Sequence, residues 1–150
     1  MRTRQILTRH STLIHRSVED VYRFIAVDFF RNYRKWSPEV SELRQITAGA
    51  MRVGVTGNQV RYDHGFRSEA TFRVTRMTAM QELRFASLTG PRFDVSYRFE
   101  PLAADTRVIF EFRLGLPLYA LPLRERVESA VELGGHRVVS NLRALLDSSG

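Results

Sequence analysis

Residues 17–40 read SVEDVYRFIAVDFFRNYRKWSPEV, and their pattern predicts two consecutive short helices. Ser17 is a favourable N-cap for the first helix, because its hydroxyl can accept a hydrogen bond from a free backbone N–H of the first turn. Apolar residues then follow with the spacing of one helical face: Val18, Val21, Tyr22 and Ile25. The second helix covers residues 28–36 and ends before Pro38, because the residue that precedes a proline avoids helical backbone angles.

The second of these helices combines aromatic and basic side chains. Phe29, Tyr33 and Trp36 are spaced four and three residues apart, so they share one helical face. They can pack against a sheet as core, form the rim of a pocket at Trp36, or stack on nucleic acid. Platforms that stack single-stranded nucleic acid display their aromatic residues beside a basic groove. Because the aromatic residues of the later strands lie opposite the arginines, the sequence predicts a core element that reaches a pocket rim, and no specific nucleic-acid partner.

Strand-like alternation precedes and follows the two helices. Residues 5–15 read as a first strand, and the chain alternates with a period of two from residue 40 to residue 115. Four runs place large apolar residues on one side and charged residues on the other: 66–75, 82–87, 92–101 and 106–114. This pattern is typical of antiparallel strands with one solvated face.

The last segment predicts one long amphipathic helix of about 25 residues that starts near Pro122, a favourable first helical residue. One arc of this helix is apolar: Leu123, Val127, Ala130, Val131, Gly134, Val138, Leu142 and Leu145. A sheet with one apolar face must cover that face, and this helix is the one predicted element long enough to do so. The fold class is therefore α+β.

Composition narrows the classes of protein that remain. The 150 residues fit one domain, 1–150, and the absence of cysteine excludes disulfides, thiolate metal ligands and cysteine nucleophiles. The net charge of +7 comes almost entirely from arginines spread along the chain, which permits an anionic partner without requiring one. With no signal-like apolar start and no run of 18 apolar residues, we expect a cytoplasmic protein without a membrane span.

The order of elements and several landmarks resemble the SRPBCC superfamily, also called START-like, Bet v 1-like or helix-grip, and within it the bacterial polyketide cyclase/dehydrase-like branch. Trp36-Ser37-Pro38 resembles its W-x-P motif, and FEPLAADTRV (99–108) resembles its hairpin, with Asp105 in place of a glycine. Further landmarks are Tyr22, Asp28, Gly54, Leu83, Phe85, Gly134, Gly135 and Leu142. One departure is Glu82, where the family usually has an arginine.

The resemblance implies a curved seven-stranded antiparallel sheet that wraps around a long C-terminal helix, with two short helices after the first strand. It also implies an apolar cavity between sheet and helix. The residues that we expect to line this cavity are Trp36, Phe72, Phe85, Ser87, Tyr97, Phe99, Phe110, Phe112, Val127, Val131 and Gly134. A solid core formed by the same aromatic residues is the alternative. A glycine inside the helix and the hydroxyls of Ser87 and Tyr97 on the apolar face favour the cavity.

No diagnostic catalytic motif is present, so the resemblance leaves the activity open. The candidates for moving a proton are Tyr62, His64 and Tyr97. Asp63 and His64 could form an acid/base pair, or could lie in a solvated turn. The side of the strand at 54–62 that faces inward cannot be decided from its alternation. The four histidines, His10, His15, His64 and His136, show no ligand spacing, so we expect no metal and no cofactor.

We therefore expect the protein to bind a hydrophobic small molecule, such as a lipid, a quinone or an aromatic polyketide-like compound, as a monomer or homodimer. The alternative is an enzyme of the polyketide cyclase/dehydratase type. A third possibility is a co-chaperone or ribosome-contacting module that uses its basic outer sheet face. The residues of that face are Arg67, Arg73, Arg92, Arg98, Arg107 and Arg113.

Overall fold

The computed structural model describes residues 4–148, and its elements follow the predicted order. The strands are β1 (Gln5–Ile14), β2 (Val40–Gln45), β3 (Thr56–Asp63), β4 (Phe66–Thr78), β5 (Glu82–Ser87), β6 (Phe93–Leu102) and β7 (Asp105–Gly115). The helices are α1 (Val18–Tyr22), α2 (Phe29–Trp36) and α3 (Arg124–Ser148), and a π-helical turn joins α1 to α2. The strands form one antiparallel sheet in the order β1-β7-β6-β5-β4-β3-β2. The predicted helix-grip fold is confirmed.

Strand register determines which side chains enter the core. Phe72 lies opposite Ser87, and Tyr97 lies opposite Phe110, so the aromatic residues of neighbouring strands share one face of the sheet. The pairing of β3 with β4 answers the question that alternation alone left open, because Gly57 lies opposite the buried Phe72. Val55, Gly57, Gln59 and Arg61 form the set on the inner face. Asn58, Tyr62 and the other alternate residues of β3 lie on the outer face.

Helix α2 fills the inner face of the sheet. Phe29 is 1% exposed, and its ring centroid lies 5.2 Å from that of Phe85 and 4.6 Å from that of Tyr33. Gly57 makes room for this packing, because a Cβ at that position would lie 2.7 Å from the Phe30 ring and 2.8 Å from the Phe72 ring. The aromatic face of α2 therefore packs as core, as its spacing indicates.

Helix α3 crosses the sheet at β1 and also contacts β7 and α2. All of its buried residues lie from the middle of the helix onward: Gly135, Val138, Val139, Leu142 and Leu146. The α-helix begins at Arg124 and not at Pro122, because residues Leu118–Leu123 form a 3-10 helix that contains that proline. A C-terminal helix that covers the sheet is confirmed, but its first half does not contribute a buried face.

Two adjacent glycines of α3 differ in their surroundings. A Cβ on Gly135 would lie 2.7 Å from Cδ2 of His10 and 3.0 Å from Cγ2 of Thr8, so α3 approaches β1 closely at Gly135. For Gly134, no atom of the described residues lies within 4 Å of the same position. Gly135, and not Gly134, is thus the glycine that close packing requires.

This difference predicts opposite effects of the same substitution. We expect Gly134→Ala to stabilise the protein by up to about 1 kcal/mol, because alanine favours a helix interior over glycine and meets no neighbour here. We expect Gly135→Ala to destabilise it by about 1 kcal/mol, because the overpacking against His10 exceeds the same helical gain. Thermal unfolding of the two variants measures this, and equal melting temperatures would contradict it.

Candidate functional site

Several loops and the start of α3 gather at one end of the sheet, which we call the proximal end. Strand β7 ends there at Gly115, and the guanidinium of Arg124 donates to the carbonyl of Gln5 at the start of β1. Because neighbouring strands are antiparallel, the Asp63–Phe66 turn and residues 88–91 lie at the same end. The opposite, distal end carries the turns between β4 and β5 and between β6 and β7.

At the proximal end, the inner face of α3 is incompletely covered. Its inward residues there are only half-buried: Val127, Ala130, Val131 and Gly134. The inner sheet face contributes partly covered apolar side chains, of which Phe112 and Leu114 pack against the core. The first half of α3 and the proximal ends of β6 and β7 therefore present apolar surface that the chain itself does not bury.

Most of the aromatic residues predicted to line a cavity lie deeper. Trp36, Phe72, Phe85, Tyr97, Phe99 and Phe110 are all at most 5% exposed. They are in ring contact, for example Phe72 with Phe85 at 5.1 Å and Tyr97 with Phe110 at 5.3 Å between centroids. Ser87 is half-buried, and its Oγ accepts a hydrogen bond from the backbone N–H of Phe93 at 2.9 Å. Of the predicted set, Phe112, Val127, Val131 and Gly134 have open surface near the proximal end.

A polar contact lies within this aromatic core. The indole Nε1–H of Trp36 donates to the hydroxyl of Tyr97 at 3.1 Å, and both side chains are at most 1% exposed. Burial raises the pKa of Tyr97, so the phenol stays neutral at any physiological pH. Since the indole can only donate, Tyr97 is the acceptor, and its own proton stays available for a second bond. Tyr97 is thus a neutral phenol that accepts the bond from Trp36 within the core.

A second polar group on the inner face was not predicted from the sequence. The Arg61 guanidinium lies beside the hydroxyl of Tyr33 and binds Asp63 at 3.1 Å and Glu39 at 3.7 Å. Burial raises the pKa of Tyr33, and the neighbouring Arg61 reduces that rise. Burial opposes the charge of Arg61, but Tyr33 and the two carboxylates outweigh it, so the pKa of Arg61 is raised and the cation persists.

Gln59 lies next to Arg61 in the inward set of β3 and is 3% exposed. Within residues 4–148 its Oε1 atom has no hydrogen-bond partner. A buried acceptor without a donor costs free energy, so the Gln59 side chain would gain from a hydrogen-bond donor supplied by another molecule. The alternation of β3 places Gln59 and Arg61 in one set. Alternation alone does not determine which side of the sheet that set faces.

The other two catalytic candidates lie away from Tyr97. Tyr62 is exposed on the outer face, and His64 is exposed in the turn after β3, with a φ of +52°. The carboxylate of Asp63 binds Arg61 through two hydrogen bonds of 3.1 and 3.2 Å. The structure therefore brings Asp63 together with Arg61, and it does not bring Tyr62 or His64 together with Tyr97.

The outer sheet face carries ion pairs. Arg84 binds Asp94 at 2.7 Å, Arg67 binds Glu69 at 3.1 Å, and Arg113 lies 3.5 Å from Glu111. A shallow polar depression of about 180 Å³ lies among these charges. Acidic partners thus offset part of the arginine charge that the sequence places on this face.

An open groove of about 520 Å³ runs along the surface between residues 10–12 of β1 and the second half of α3. His10 and His136 line it, with ring centroids 6.0 Å apart. The Glu132 carboxylate reaches over to Thr8 and lies 3.4 Å from Nε2 of His10. The groove lies at the edge strand β1 and is lined by both polar and apolar side chains.

Among residues 4–148, no three histidine or acidic side chains are grouped so that they could hold a metal ion. No helix in that part of the chain has the length and apolarity needed to span a bilayer.

Replacing Tyr97 by phenylalanine tests the buried polar contact. We expect Tyr97→Phe to lower the free energy of unfolding by about 1–3 kcal/mol, because it leaves the Trp36 indole N–H buried without an acceptor. Trp36 is the only tryptophan, so its fluorescence reports both the changed environment and the unfolding transition. Unchanged stability together with an unchanged emission spectrum would contradict the contact.

Comparisons with known proteins agree on the fold. A family model described as "Polyketide cyclase / dehydrase and lipid transport" matches residues 5–147. No curated protein matches the chain significantly. A START superfamily protein from Mycobacterium smegmatis is similar in structure, with a TM-score of 0.80, 11% identity, and coverage of 96% of this chain and 99% of that one.

Two further solved structures are similar over the whole chain. The aromatase/cyclase Zhui from a Streptomyces species has a TM-score of 0.79 and 14% identity, with coverage of 95% of this chain and 94% of that one. A protein from Thermus thermophilus has a TM-score of 0.77 and 18% identity, with coverage of 96% and 99%. Likeness at these identities shows a shared fold.

Proposed function

Because this chain belongs to the polyketide cyclase/dehydrase and lipid transport family, we propose that it binds a hydrophobic small molecule between the sheet and the first half of α3. The observation that carries the proposal is the uncovered apolar surface at the proximal end. Val127, Val131 and Gly134 face inward there without being buried, whereas the second half of the same helix is packed tightly against β1.

The surroundings of this surface favour a ligand over plain solvent exposure. Apolar surface that stays open inside a fold is stabilised when an apolar molecule displaces water from it, at roughly 25 cal/mol per Å². A small-molecule site combines such surface with a few polar groups that set orientation. Tyr33, Gln59 and Arg61 are inner-face polar groups of β3 and α2, and Arg61 lies two residues from the proximal end of β3.

The polar groups indicate what the ligand carries. Gln59 Oε1 is an unpaired acceptor, so it suits a hydroxyl or N–H donor on the ligand. Arg61 keeps its charge and suits a carbonyl or acidic oxygen. A mostly apolar molecule with one oxygen-bearing end, such as a fatty acid, a quinone or an aromatic polyketide, matches this combination.

The test is a panel of fatty acids, quinones and aromatic polyketides measured by thermal unfolding, together with native mass spectrometry of the freshly purified protein. A ligand at 100 times its dissociation constant is expected to stabilise the fold by about 2.7 kcal/mol. A bound hydrophobic species in the native mass spectrum supports the same conclusion. A ligand-free mass combined with melting temperatures that stay flat over the whole panel would overturn the proposal.

A matched pair of variants locates the site. Val131→Phe fills the inward side of α3 and is expected to abolish the ligand-induced shift in melting temperature. Leu133→Phe adds a phenylalanine to the same helix at a residue that is 58% exposed, and is expected to leave the shift unchanged. If both variants keep the full shift, the ligand binds elsewhere.

A second candidate function is catalysis of the cyclase or dehydratase type. The observation that favours it is the pairing of Tyr33 with the permanently charged Arg61 on the inner face. A cation beside a phenol can stabilise the negative charge that develops on an enolate oxygen of the substrate. The walls of the site would meanwhile hold the substrate in a folded geometry. In this candidate Tyr33 takes the place of Tyr62 and His64 as the group that can move a proton, and Arg61 supplies the positive charge.

Mass spectrometry of the recovered ligand separates binding from catalysis. A poly-β-ketone analogue that returns with the loss of one water, at a rate above the buffer control, supports an enzyme. Arg61→Gln should then abolish turnover, while an apolar ligand without an acidic or carbonyl oxygen, such as a fatty alcohol, still binds. Recovery of the analogue unchanged after long incubation leaves the protein as a binding module.

A further inference from the structure

The segment between β7 and α3 is the most exposed apolar stretch of the described chain. It reads LPLYALPL over residues 116–123. Tyr119 is 86% exposed and Leu118 is 69% exposed, and Leu121 and Leu123 are also exposed. Leu116 at its base is buried, and its N–H donates to the carbonyl of Arg4. The segment is therefore anchored at one end and projects its remaining large side chains into solvent.

Other exposed apolar side chains lie at the same end of the sheet. Phe66 is 79% exposed at the Asp63–Phe66 turn, and Leu88 is exposed at the start of the loop between β5 and β6. Isolated exposed leucines need no explanation, but a group of projecting apolar tips at one end of a protein marks an interaction surface.

The rim around these tips carries more arginines than acidic residues. Arg113 and Arg124 flank the segment and lie within ion-pair distance of Glu111 and Glu128, and the exposed Arg126 follows Glu125. The side chain of Arg92 runs along Gly115 at the base of the segment, with its Cβ 3.3 Å from the position of a Gly115 Cβ. Arg4 is exposed at the same place. Apolar tips within a basic rim form a surface suited to a partner that is apolar inside and anionic at its boundary.

We propose that the proximal end docks on an anionic lipid bilayer, with residues Leu118, Tyr119, Leu121 and Leu123 inserted at the level of the headgroups. Tyrosine suits the boundary between headgroups and acyl chains, because its ring is apolar and its hydroxyl can stay hydrated. The leucine side chains add apolar surface that enters the acyl boundary. The arginines of the rim contact the lipid phosphates. Each arginine contributes an electrostatic attraction to the anionic surface, and salt screens this attraction.

Charge favours a bilayer over a second copy of the chain as the occupant. Two copies that joined through this segment would oppose one basic rim to another, and like charges across an interface are repulsive. A bilayer that contains acidic lipids supplies the opposite charge and also an apolar phase for projecting side chains. The proposal concerns the outer surface of the segment and stands whether or not the inner site binds a ligand.

Co-sedimentation with vesicles tests the proposal. We expect the whole protein to bind vesicles of phosphatidylcholine mixed with phosphatidylglycerol more tightly than vesicles of phosphatidylcholine alone, and binding to weaken with added salt. The double variant Leu118→Ser/Tyr119→Ser should lower the partition coefficient by roughly tenfold or more, because it removes two inserting side chains. Arg126→Gln should weaken binding to the mixed vesicles only.

The chain offers a matched control at the distal end. Met80 and Leu102 are also exposed. Met80 lies in the turn between β4 and β5, and Leu102 ends β6 beside the turn to β7. The N–H of Phe99 in β6 donates to the carbonyl of Gln81 in the first of these turns. Met80→Ser/Leu102→Ser removes two apolar tips from that end and should leave vesicle binding unchanged. All variants should keep the wild-type melting temperature, because the replaced side chains are exposed.

Three results would overturn the proposal. The first is a wild-type protein that stays in the supernatant with both kinds of vesicle. The second is an equal loss of binding in the distal control. The third is self-association without vesicle binding. It would appear in size-exclusion chromatography as an early elution volume that Leu118→Ser/Tyr119→Ser abolishes. That result would assign the segment to contact with a second copy of the chain.

Discussion

Replacing Phe29 by alanine is expected to lower the free energy of unfolding by about 3–5 kcal/mol, the usual cost of emptying a buried phenylalanine site. The Phe29 ring contacts five other aromatic rings: Phe30, Tyr33, Trp36, Phe72 and Phe85. Because these rings come from both α2 and the sheet, none can move into the vacated space without leaving its own contacts. The loss is a large part of the 5–15 kcal/mol that typically stabilises a protein.

Chemical denaturation followed by Trp36 fluorescence measures this effect. The matched control is Phe66→Ala, which removes the same side chain from a residue that is 79% exposed. We expect the control to change stability by less than about 0.5 kcal/mol, because a surface substitution removes few contacts. If the two variants lose equal stability, α2 does not form the core of the fold.

Replacing Gly90 by alanine is expected to cost about 3 kcal/mol, from two causes that add. The backbone at Gly90 has a φ of +81°, a left-handed conformation that an L side chain adopts at a cost of about 1–2 kcal/mol. In addition, a Cβ would lie 2.2 Å from the carbonyl oxygen of Glu69, so the loop between β5 and β6 must move away from β4. The expected result is a lower melting temperature and a displaced proximal loop.

Gly65→Ala separates the two causes. Gly65 has a φ of +84°, almost the same backbone conformation, but no described atom lies within 4 Å of the position of its Cβ. This control should lose only the conformational part, about 1–2 kcal/mol. The difference between the two variants then measures the close approach of the loop to β4, and the absence of a difference would show that the approach does not constrain the loop.

Local patterns were sufficient to predict most of the fold. Period-two alternation over residues 66–75 and 92–101 correctly identified inward Phe72 and Tyr97, because neighbouring strands of one sheet bury the same alternate set. The landmarks around Trp36-Ser37-Pro38 indicated the SRPBCC superfamily, and the family match over residues 5–147 confirms it. Both signals depend on residues close together in the chain, where spacing determines geometry.

The candidate site was less predictable, because its members come from distant parts of the chain. Tyr33 lies on α2, Arg61 on β3 and Glu39 between α2 and β2, and only the packing of α2 onto the sheet brings them together. The sequence pointed instead to Tyr62 and His64, which are polar neighbours of Arg61. One step along a strand reverses the direction of a side chain, so Tyr62 lies outside and Arg61 inside.

The sequence by itself determined which residues form strands and helices and which alternate set each regular strand buries, because these follow from local backbone geometry and hydrophobic periodicity. Only the tertiary structure decided how β3 is oriented, which of two adjacent glycines β1 touches, and where α3 leaves its inner face uncovered. These features depend on the relative position of elements separated by up to 132 residues, as in the hydrogen bond from the backbone N–H of His15 to the Asp147 carboxylate. Such positions are set by the packing of whole surfaces, which no local spacing encodes.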